Sequence, residues 1–341
     1  MLRALQLAEQ GRGKTKLNPL VGSVIVHRGR IIGEGWHDLY GGPHAEVNAI
    51  QSVQNKESLK DATIYVTLEP CAHEGKTPSC ARLIQSLGIP KVVIGCRDPF
   101  EKVQGKGIQI IQAGGAEVTE GVCQQEALEL IYPFRTHLKN KRPFIHLKWA
   151  QSYDGYLGKP GEQTQITHPN TSFVNHKIRS GRDAILVGAN TLRVDNPALD
   201  NRLYPGPTPM KIIVDRHGSI QLGSLKAFSS KGKIIVFSPK EVPEQETVFT
   251  SFLIPSAEPT ALVHFILEKL YQCEIGSLMI EGGAELLQSF IQLELWDQCT
   301  IFRSEKSLGS GIRAPLVSGK LVHQFDFTPD KVMLLRPFSL K

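Results

Sequence analysis

The spacing of one histidine and two cysteines constrains this chain more than any other feature. His44 opens the segment His44-Ala45-Glu46, after which Val47, Ala49, Ile50 and Val53 repeat at helical spacing. Cys71 follows the strand-like run 62–68 through Glu69-Pro70, and Cys80 opens the helix-like run 81–87. A fold that uses all three must bring the start of one helix, the end of a strand and the start of a second helix to one point. Helix N-termini favour thiolate, so the three side chains read as one imidazole and two thiolates. A catalytic zinc takes three protein ligands and keeps its fourth position for water, so this donor set predicts one zinc ion per chain, held by His44, Cys71 and Cys80.

Glu46 lies about half a turn beyond His44, far enough round the helix that the two side chains need not share a target. It is left free of the metal and is placed to move a proton. A zinc-activated water beside an unligated carboxylate is the equipment of hydrolytic deamination, with Glu46 as the general acid/base. Each of these residues taken alone reads more simply as a core cysteine or a surface histidine, since free cysteine is among the most buried residue types. Their joint spacing outweighs that reading. The separation of the cysteines departs from a short Cys-x-x-Cys, because eight residues lie between Cys71 and Cys80. That insertion is expected to form part of the pocket wall.

At 341 residues the chain has room for two domains. Hydrophobic content of 41% and charged content of 21% describe a globular protein, and the net charge of +6 is spread without a basic run. A basic stripe interleaved with aromatics is missing, which argues against nucleic acid as partner and so against a nucleic-acid base deaminase. The free Glu46 and the three-ligand set argue against a purely structural zinc. Six cysteines are sparse for a disulfide framework in a chain of this length. The pattern over residues 2–9 is a short amphipathic helix without an apolar signal core, and no stretch reaches membrane-spanning length. The expected location is the cytoplasm, with no membrane partner.

Strand-like and helix-like segments alternate through residue 138, which predicts an α/β sheet covered by helices. The polar Lys139-Asn140-Lys141-Arg142-Pro143 interrupts the alternation and is read as a linker between a domain over 1–140 and a second over 144–341. The second half carries strand-like runs near 144–150, 184–187, 210–214, 233–237 and 277–281. Its sharpest feature is Ser277 to Leu287, an apolar strand that passes through Gly282-Gly283 into a helix. Such a junction offers N–H groups to a pyrophosphate, although a Gly-Gly pair at a strand end is more often a tight turn. The run lacks the Gly-x-Gly-x-x-Gly fingerprint, which argues against a Rossmann domain.

These motifs together resemble the bifunctional pyrimidine deaminase/reductases of riboflavin biosynthesis. The resemblance runs through Asn18-Pro19-Leu20-Val21-Gly22, Gly33-Glu34-Gly35-Trp36-His37, Pro43 to Val47, Tyr65 to Cys71 and His73 to Cys80, and more loosely through the second half. It implies a cytidine-deaminase-like α/β/α domain followed by a dihydrofolate-reductase-like α/β domain, a cytoplasmic homo-oligomer, and two reactions. The first deaminates a phosphorylated diaminopyrimidinone ribosylamine, and the second uses NADPH to reduce its ribosyl group to ribityl. By position it implies that Asn18, His73 and Lys76 meet the deaminase substrate. Thr191, Asp195, Gly283, Ala284, Glu285, Leu286 and Leu287 are implied contacts of the cofactor. Arg179, Leu199, Arg202 and Glu281 are implied contacts of the reductase substrate, the two arginines suiting a bidentate phosphate grip. The chain departs from the family at Ser79, where a second proline is usual, at Gln163 and Gln165 in place of a serine and a tryptophan, and at Arg216, where a serine is usual. Gln165 loses an aromatic contact for the cofactor and Gln163 a hydroxyl for the substrate, and with Arg216 these changes are expected to weaken cofactor binding. A C-terminal half that only scaffolds the deaminase is the competing reading.

Overall fold

The computed structural model describes residues 1–73, 79–100, 104–220, 225–242 and 249–338. The chain divides into two units, Met1–Lys139 and Asn140–Lys341.

The first unit runs α1 (Leu2–Ala8), β1 (Gly22–His27), β2 (Arg30–Trp36), α2 (Ala45–Ser52), β3 (Thr63–Leu68), α3 (Cys80–Ser86), β4 (Lys91–Cys96), α4 (Lys106–Ala113), β5 (Glu117–Glu120), α5 (Gln124–Leu130) and α6 (Tyr132–Asn140). Its sheet has the order β2-β1-β3-β4-β5. Strand β1 is antiparallel to both neighbours, while β3, β4 and β5 are parallel. The β1–β2 hairpin turns through Arg28 and Gly29, at φ +49° and +74°. A two-residue loop with both residues left-handed matches the twist of the strands it joins. The buried apolar residues of β1, β3 and β4 (Ile25, Ile64, Val66, Val92 and Ile94) pack with Ala45, Ala49 and Ile50 of α2 and Ala81 and Ile84 of α3 in one core.

The stretch 124–138 forms two helices that break at Ile131, and Pro133 explains it: proline lacks the N–H that a continuing helix needs and is tolerated in a first turn. Helix α6 then extends to Asn140, so the polar link shortens to residues 141–143, with Lys141 left-handed at φ +50°.

The second unit contains β6 (Phe144–Gln151), β7 (Tyr156–Gly158), α7 (Thr171–Ser180), β8 (Ala184–Gly188), α8 (Ala189–Asp195), β9 (Met210–Val214), α9 (Lys226–Ser229), β10 (Ile234–Ser238), β11 (Phe249–Leu253), α10 (Pro259–Gln272), β12 (Ser277–Gly282), α11 (Ala284–Gln292), β13 (Gln298–Arg303), β14 (Ile312–Arg313), β15 (Lys320–Phe327) and β16 (Asp330–Arg336). Nine of these strands form a sheet in the order β11-β10-β9-β8-β12-β6-β13-β16-β15. It is parallel from β11 to β13 and closes on the antiparallel hairpin β15–β16. The central strands are apolar on both faces, as parallel strands covered on both sides must be: Ile145, Leu147, Leu186, Ile212, Leu278 and Ile280 lie in one core, and Ile185, Val187, Ile213 and Val236 in another. Helix α10 starts with Pro259, and the Glu258 carboxylate caps it by accepting the N–H groups of Thr260 and Ala261.

Helix α2 lies unusually close to β2. A Cβ on Gly35 would stand 2.3 Å from the Ala49 nitrogen and 2.6 Å from the Ala45 oxygen, and one on Gly33 would stand 2.5 Å from the Ala49 oxygen. These are backbone atoms, so no side-chain rotation relieves the clash. Gly35→Ala is therefore expected to lower stability by at least the ~1–3 kcal/mol of an overpacked core and to displace the first turn of α2. Denaturant unfolding together with zinc analysis checks it: unchanged stability and full zinc content would mean that α2 does not depend on this contact.

Candidate active sites

In the first unit the three ligand positions come together as the sequence predicts. The Cys80 Sγ lies 3.3 Å and the Cys71 Sγ 3.6 Å from the His44 Nδ1, and the three ligand atoms all fall within 4.8 Å of one another. A tetrahedral zinc with bonds of about 2.0–2.3 Å separates its ligand atoms by roughly 3.3–3.8 Å, so the donor set and its spacing fit that ion. His44 is the N-cap of α2, Cys71 sits just beyond the carboxyl end of β3, and Cys80 is the first residue of α3. Ser79 caps α3 by accepting the Arg82 N–H at 3.3 Å. A serine can do this and a proline cannot, which gives the Ser79 departure a physical role.

The protons of the metal-free cluster are unevenly shared. The hydrogen bond from Cys80, aided by His44, holds the Cys71 thiol down at about 4, whereas the thiolate it faces and its own burial push Cys80 up. The Cys80 N–H also donates to the Cys71 Sγ at 3.3 Å. His44 is raised by its hydrogen bond to Cys71. A metal that binds both sulfurs as thiolates releases the remaining thiol proton. Glu46, in the first turn of α2, is only 3% exposed, and burial, reinforced by the Cys71 charge, lifts it to about 7. A carboxyl near neutrality both accepts and returns a proton with little penalty.

Asn18 is held by a residue that sequence reasoning gave no role. The His37 Nδ1 lies 3.0 Å from the Pro43 carbonyl, to which only an N–H can bond, so the Nε2 accepts from the Asn18 amide 3.0 Å away. Burial lowers the pKa of His37, which keeps the ring neutral for this arrangement. The ring also packs edge-on against His44, with centroids 5.7 Å apart. Its signal was in the Gly33–His37 motif. Glu69 was missed as well: its carboxylate accepts the N–H groups of Asp98 (3.2 Å), Gly105 (3.0 Å) and Gly107 (3.1 Å), pinning the segment after β4 beside Pro70-Cys71. His73 is exposed, and Lys76 lies outside the described residues.

The second unit opens a cavity of about 510 Å³ at the carboxyl ends of β8, β9 and β12, where Gly283, Ala284, Glu285 and Leu286 form part of the lining. Gly283 is the N-cap of α11 at φ +41°, a conformation that favours glycine, and its N–H donates to the Thr191 Oγ1 at 3.0 Å. A Cβ on Gly282 would meet the same hydroxyl at 3.5 Å. The paired glycines and the helix N-terminus facing a cavity fit the phosphate-bearing end of a dinucleotide. Gly188, Asn190, Arg193, Arg216 and His217 also line the cavity. Of the expected cofactor contacts, Leu287 does not face it: its side chain is fully buried in the core and its N–H is spent on the Gly283 carbonyl. Thr191 stands behind the glycine turn, and Asp195 is half-buried at the end of α8, its carbonyl accepting from the Gln163 amide.

Of the expected reductase residues, Arg179 and Glu281 meet directly. Arg179 donates through Nε and Nη2 to the Glu281 carboxylate at 2.8–3.1 Å, and through Nη1 to the Asp200 carbonyl at 2.7 Å. Its fork is thus engaged by Glu281 and by the Asp200 carbonyl. Both partners are buried, and Arg179 is the first influence that holds Glu281 down against its desolvation. The Arg202 guanidinium is 59% exposed and paired with the neighbouring Asp200. Leu199 is left-handed at φ +55° with its side chain in the core, so only its backbone is available to a ligand. Lys148 projects its amine over the Phe302 ring, 5.0 Å from the centroid, in the field of Glu281 and Arg179.

One α/β unit with a hydrolytic zinc site and a second with a glycine-turned cavity at its strand ends define a two-reaction enzyme class, a deaminase followed by a reductase. Residues 1–96 match the model of the cytidine and deoxycytidylate deaminase zinc-binding region, and residues 143–336 match the RibD C-terminal domain. The chain is 38% identical to the riboflavin biosynthesis protein RibD of Aquifex aeolicus, over 92% of this chain and 88% of that one, and 34% identical to RibD of Escherichia coli, over 92% and 89%. Among solved structures it is similar to a diaminohydroxyphosphoribosylaminopyrimidine deaminase/5-amino-6-(5-phosphoribosylamino)uracil reductase from Thermotoga maritima, with a TM-score of 0.90 and 38% identity over 99% and 97% of the two chains. It is also similar to Acinetobacter baumannii RibD, with a TM-score of 0.87 and 31% identity over 99% and 98%. The chain belongs to the RibD family of bifunctional deaminase/reductases of riboflavin biosynthesis.

Glu46→Gln keeps the size of the side chain and removes its basicity. Zinc content is expected to stay at one per chain while ammonia release falls by the ~100-fold or more typical of losing a general acid/base. Cys80→Ser should instead lose the metal. Ammonia release at the parent rate from Glu46→Gln would take Glu46 out of the chemistry.

Proposed function

We propose that the chain carries out two consecutive steps on one phosphorylated pyrimidine: hydrolysis of the ring amine at the His44–Cys71–Cys80 site, then reduction of the ribosyl group in the second unit. The observation that carries the reading is the convergence of the three ligand atoms within 4.8 Å beside the buried carboxyl of Glu46. Zinc held by His44, Cys71 and Cys80 would supply a water of lowered pKa. Glu46 is the group that would accept a proton there and return it to the ring nitrogen and the departing amine. Asn18, oriented by His37, presents its amide carbonyl as an acceptor for ring N–H groups, and His73 and Lys76 belong to the segment expected to meet the substrate.

In the second unit NADPH supplies the hydride. Thr191 holds the Gly283 N–H and so shapes the turn that receives the pyrophosphate, with Ala284, Glu285 and Leu286 beside it. Glu281, fixed by Arg179, offers an oriented carboxylate to substrate hydroxyls, and Lys148 offers a cation to the same end of the pocket. Arg202, exposed and paired with its neighbour Asp200, is the group suited to the substrate phosphate. We also read the enzyme as a cytoplasmic homo-oligomer. Six free cysteines suit a reducing compartment, and the edge strand β15, with Leu321 and Phe325 exposed, is the kind of edge that a second chain covers.

The test supplies the phosphorylated diaminopyrimidinone with and without NADPH. Ammonia should appear in both cases, and loss of NADPH absorbance only after deamination. Arg202→Ala is expected to raise the substrate KM of the reductase by about 10- to 100-fold, the worth of a charged hydrogen bond, with zinc content and ammonia release unchanged. An unchanged KM would move the phosphate elsewhere. Absence of NADPH oxidation by the parent enzyme on pre-deaminated substrate would leave the second unit as a scaffold.

A further inference from the structure

Lys211, the second residue of β9, is among the largest side chains of the protein that have no exposed surface. An ammonium has three N–H donors and no acceptor, so burying one calls for an oxygen opposite each donor. Three are in place: the Ala227 carbonyl at 2.6 Å, the Ser230 carbonyl at 2.9 Å and the Ser230 Oγ at 2.5 Å. Burial pushes the amine down to about 8, and the charge of Asp200 works against that fall, so the ammonium form prevails at neutral pH. The three contacts are all neutral oxygens. Filling this place in the core needs only a methionine or a leucine, whereas a buried cation costs several kcal/mol in lost hydration.

What the cation does is direct the Ser230 hydroxyl. That oxygen accepts from a group that can only donate, which leaves its own hydrogen for the Ala198 carbonyl 2.6 Å away. Ala198 directly precedes Leu199, whose left-handed φ of +55° is a conformation that persists in a leucine only where its neighbours hold it. On the other side of Leu199, the Asp200 carbonyl accepts from Arg179 Nη1 at 2.7 Å, and the Asp200 side chain pairs with Arg202. Each peptide flanking Leu199 is therefore tied to a buried cation, one directly through Arg179 and the other through Ser230.

We infer that Lys211 is a positioning residue of the reductase, acting through the Ser230 hydroxyl on Ala198 to hold the 198–202 segment in the shape that presents the Leu199 backbone and Arg202 to the substrate. The inference rests on the reading of that segment as part of the reductase substrate site. Lys211 touches neither substrate nor cofactor, and its effect is on binding, because a segment that must be ordered at the moment of binding charges that ordering against affinity.

The test uses the full-length enzyme with pre-deaminated substrate and NADPH. Ser230→Ala removes the relay and leaves Lys211 its two carbonyls. It is expected to raise the substrate KM of the reductase about three- to tenfold, the worth of one hydrogen bond, with kcat and the KM for NADPH within about twofold of the parent. Ser230→Thr keeps the hydroxyl and should restore the parent KM, while Lys211→Met, which removes all three donors, should raise it further than Ser230→Ala. Thermal unfolding is followed for every variant. A Ser230→Ala enzyme that melts earlier yet keeps the parent KM would make the network purely structural and overturn the inference, as would a rise in KM shared equally by Ser230→Thr. Arg202→Ala separates the two levels of the argument. A raised KM in Arg202→Ala with none in Ser230→Ala would remove the positioning role and leave the substrate segment standing, and no change in either would overturn both.

Discussion

In a sheet whose neighbouring strands run parallel, each strand returns through a helix, and the loops entering those helices collect at the carboxyl ends of the strands. Both sites of this chain follow from that polarity. In the first unit β1 alone is reversed, so β2, β3, β4 and β5 share one direction. His44 lies in the connection that leaves β2, Cys71 in the one that leaves β3, and the Glu69 cradle ties in the segment that leaves β4. In the second unit the ends of β8, β9 and β12 supply the cavity. Side chains far apart in the chain meet because strand direction decides where every loop goes, and helix N-termini arrive with them.

Those N-termini decide the chemistry that the donors can do. Cys80 sits at the start of α3, and its N–H faces the Cys71 sulfur, so the backbone favours the thiolate next door before any metal is present. Glu46 occupies the first turn of α2, where a helix dipole favours its anion, yet burial wins and holds it near 7. The outcome is set by magnitude. A surface dipole contribution of about 0.3–1 kcal/mol is smaller than the several kcal/mol that burying a carboxylate costs. Before any metal binds, burial and the Cys71 charge together hold the Glu46 carboxyl near neutrality, while α2 itself packs closely on β2 through Gly33 and Gly35.

The deaminase half was legible because its constraints are local. Ligand types, their order and the helix and strand starts beside them can be read from His44, Cys71, Cys80 and Glu46 without knowing the fold. What escaped were residues whose roles exist only across long separations, such as His37 orienting Asn18 and Glu69 holding three N–H groups of a later segment. Strand β2 also escaped, because its Gly33 and Gly35 weaken any strand pattern while serving the close approach of α2. In the second unit the resemblance named positions without telling a side chain in the cavity from one beneath it. Leu199 and Leu287 belong to the core, and the fork of Arg179 is closed on Glu281. Charge alone does not say whether an arginine meets a ligand or a partner 102 residues away in the chain.

That last distinction has an energetic consequence for how the reductase site is built. A buried arginine–carboxylate pair contributes little net stability, because desolvation offsets its attraction, but removing one partner leaves an uncompensated charge at a cost of about 3–5 kcal/mol. Arg179 and Glu281 are such a pair, both nearly inaccessible. Arg202 and Arg216 are exposed or half-exposed, each held by one weakly coupled carboxylate. The buried pair fixes the geometry of Glu281 whether or not a ligand is present. The looser pairs of Arg202 with Asp200 and of Arg216 with Glu285 impose no such geometry, because an exposed ion pair is worth little in water, and burial decides which arginines are fixed.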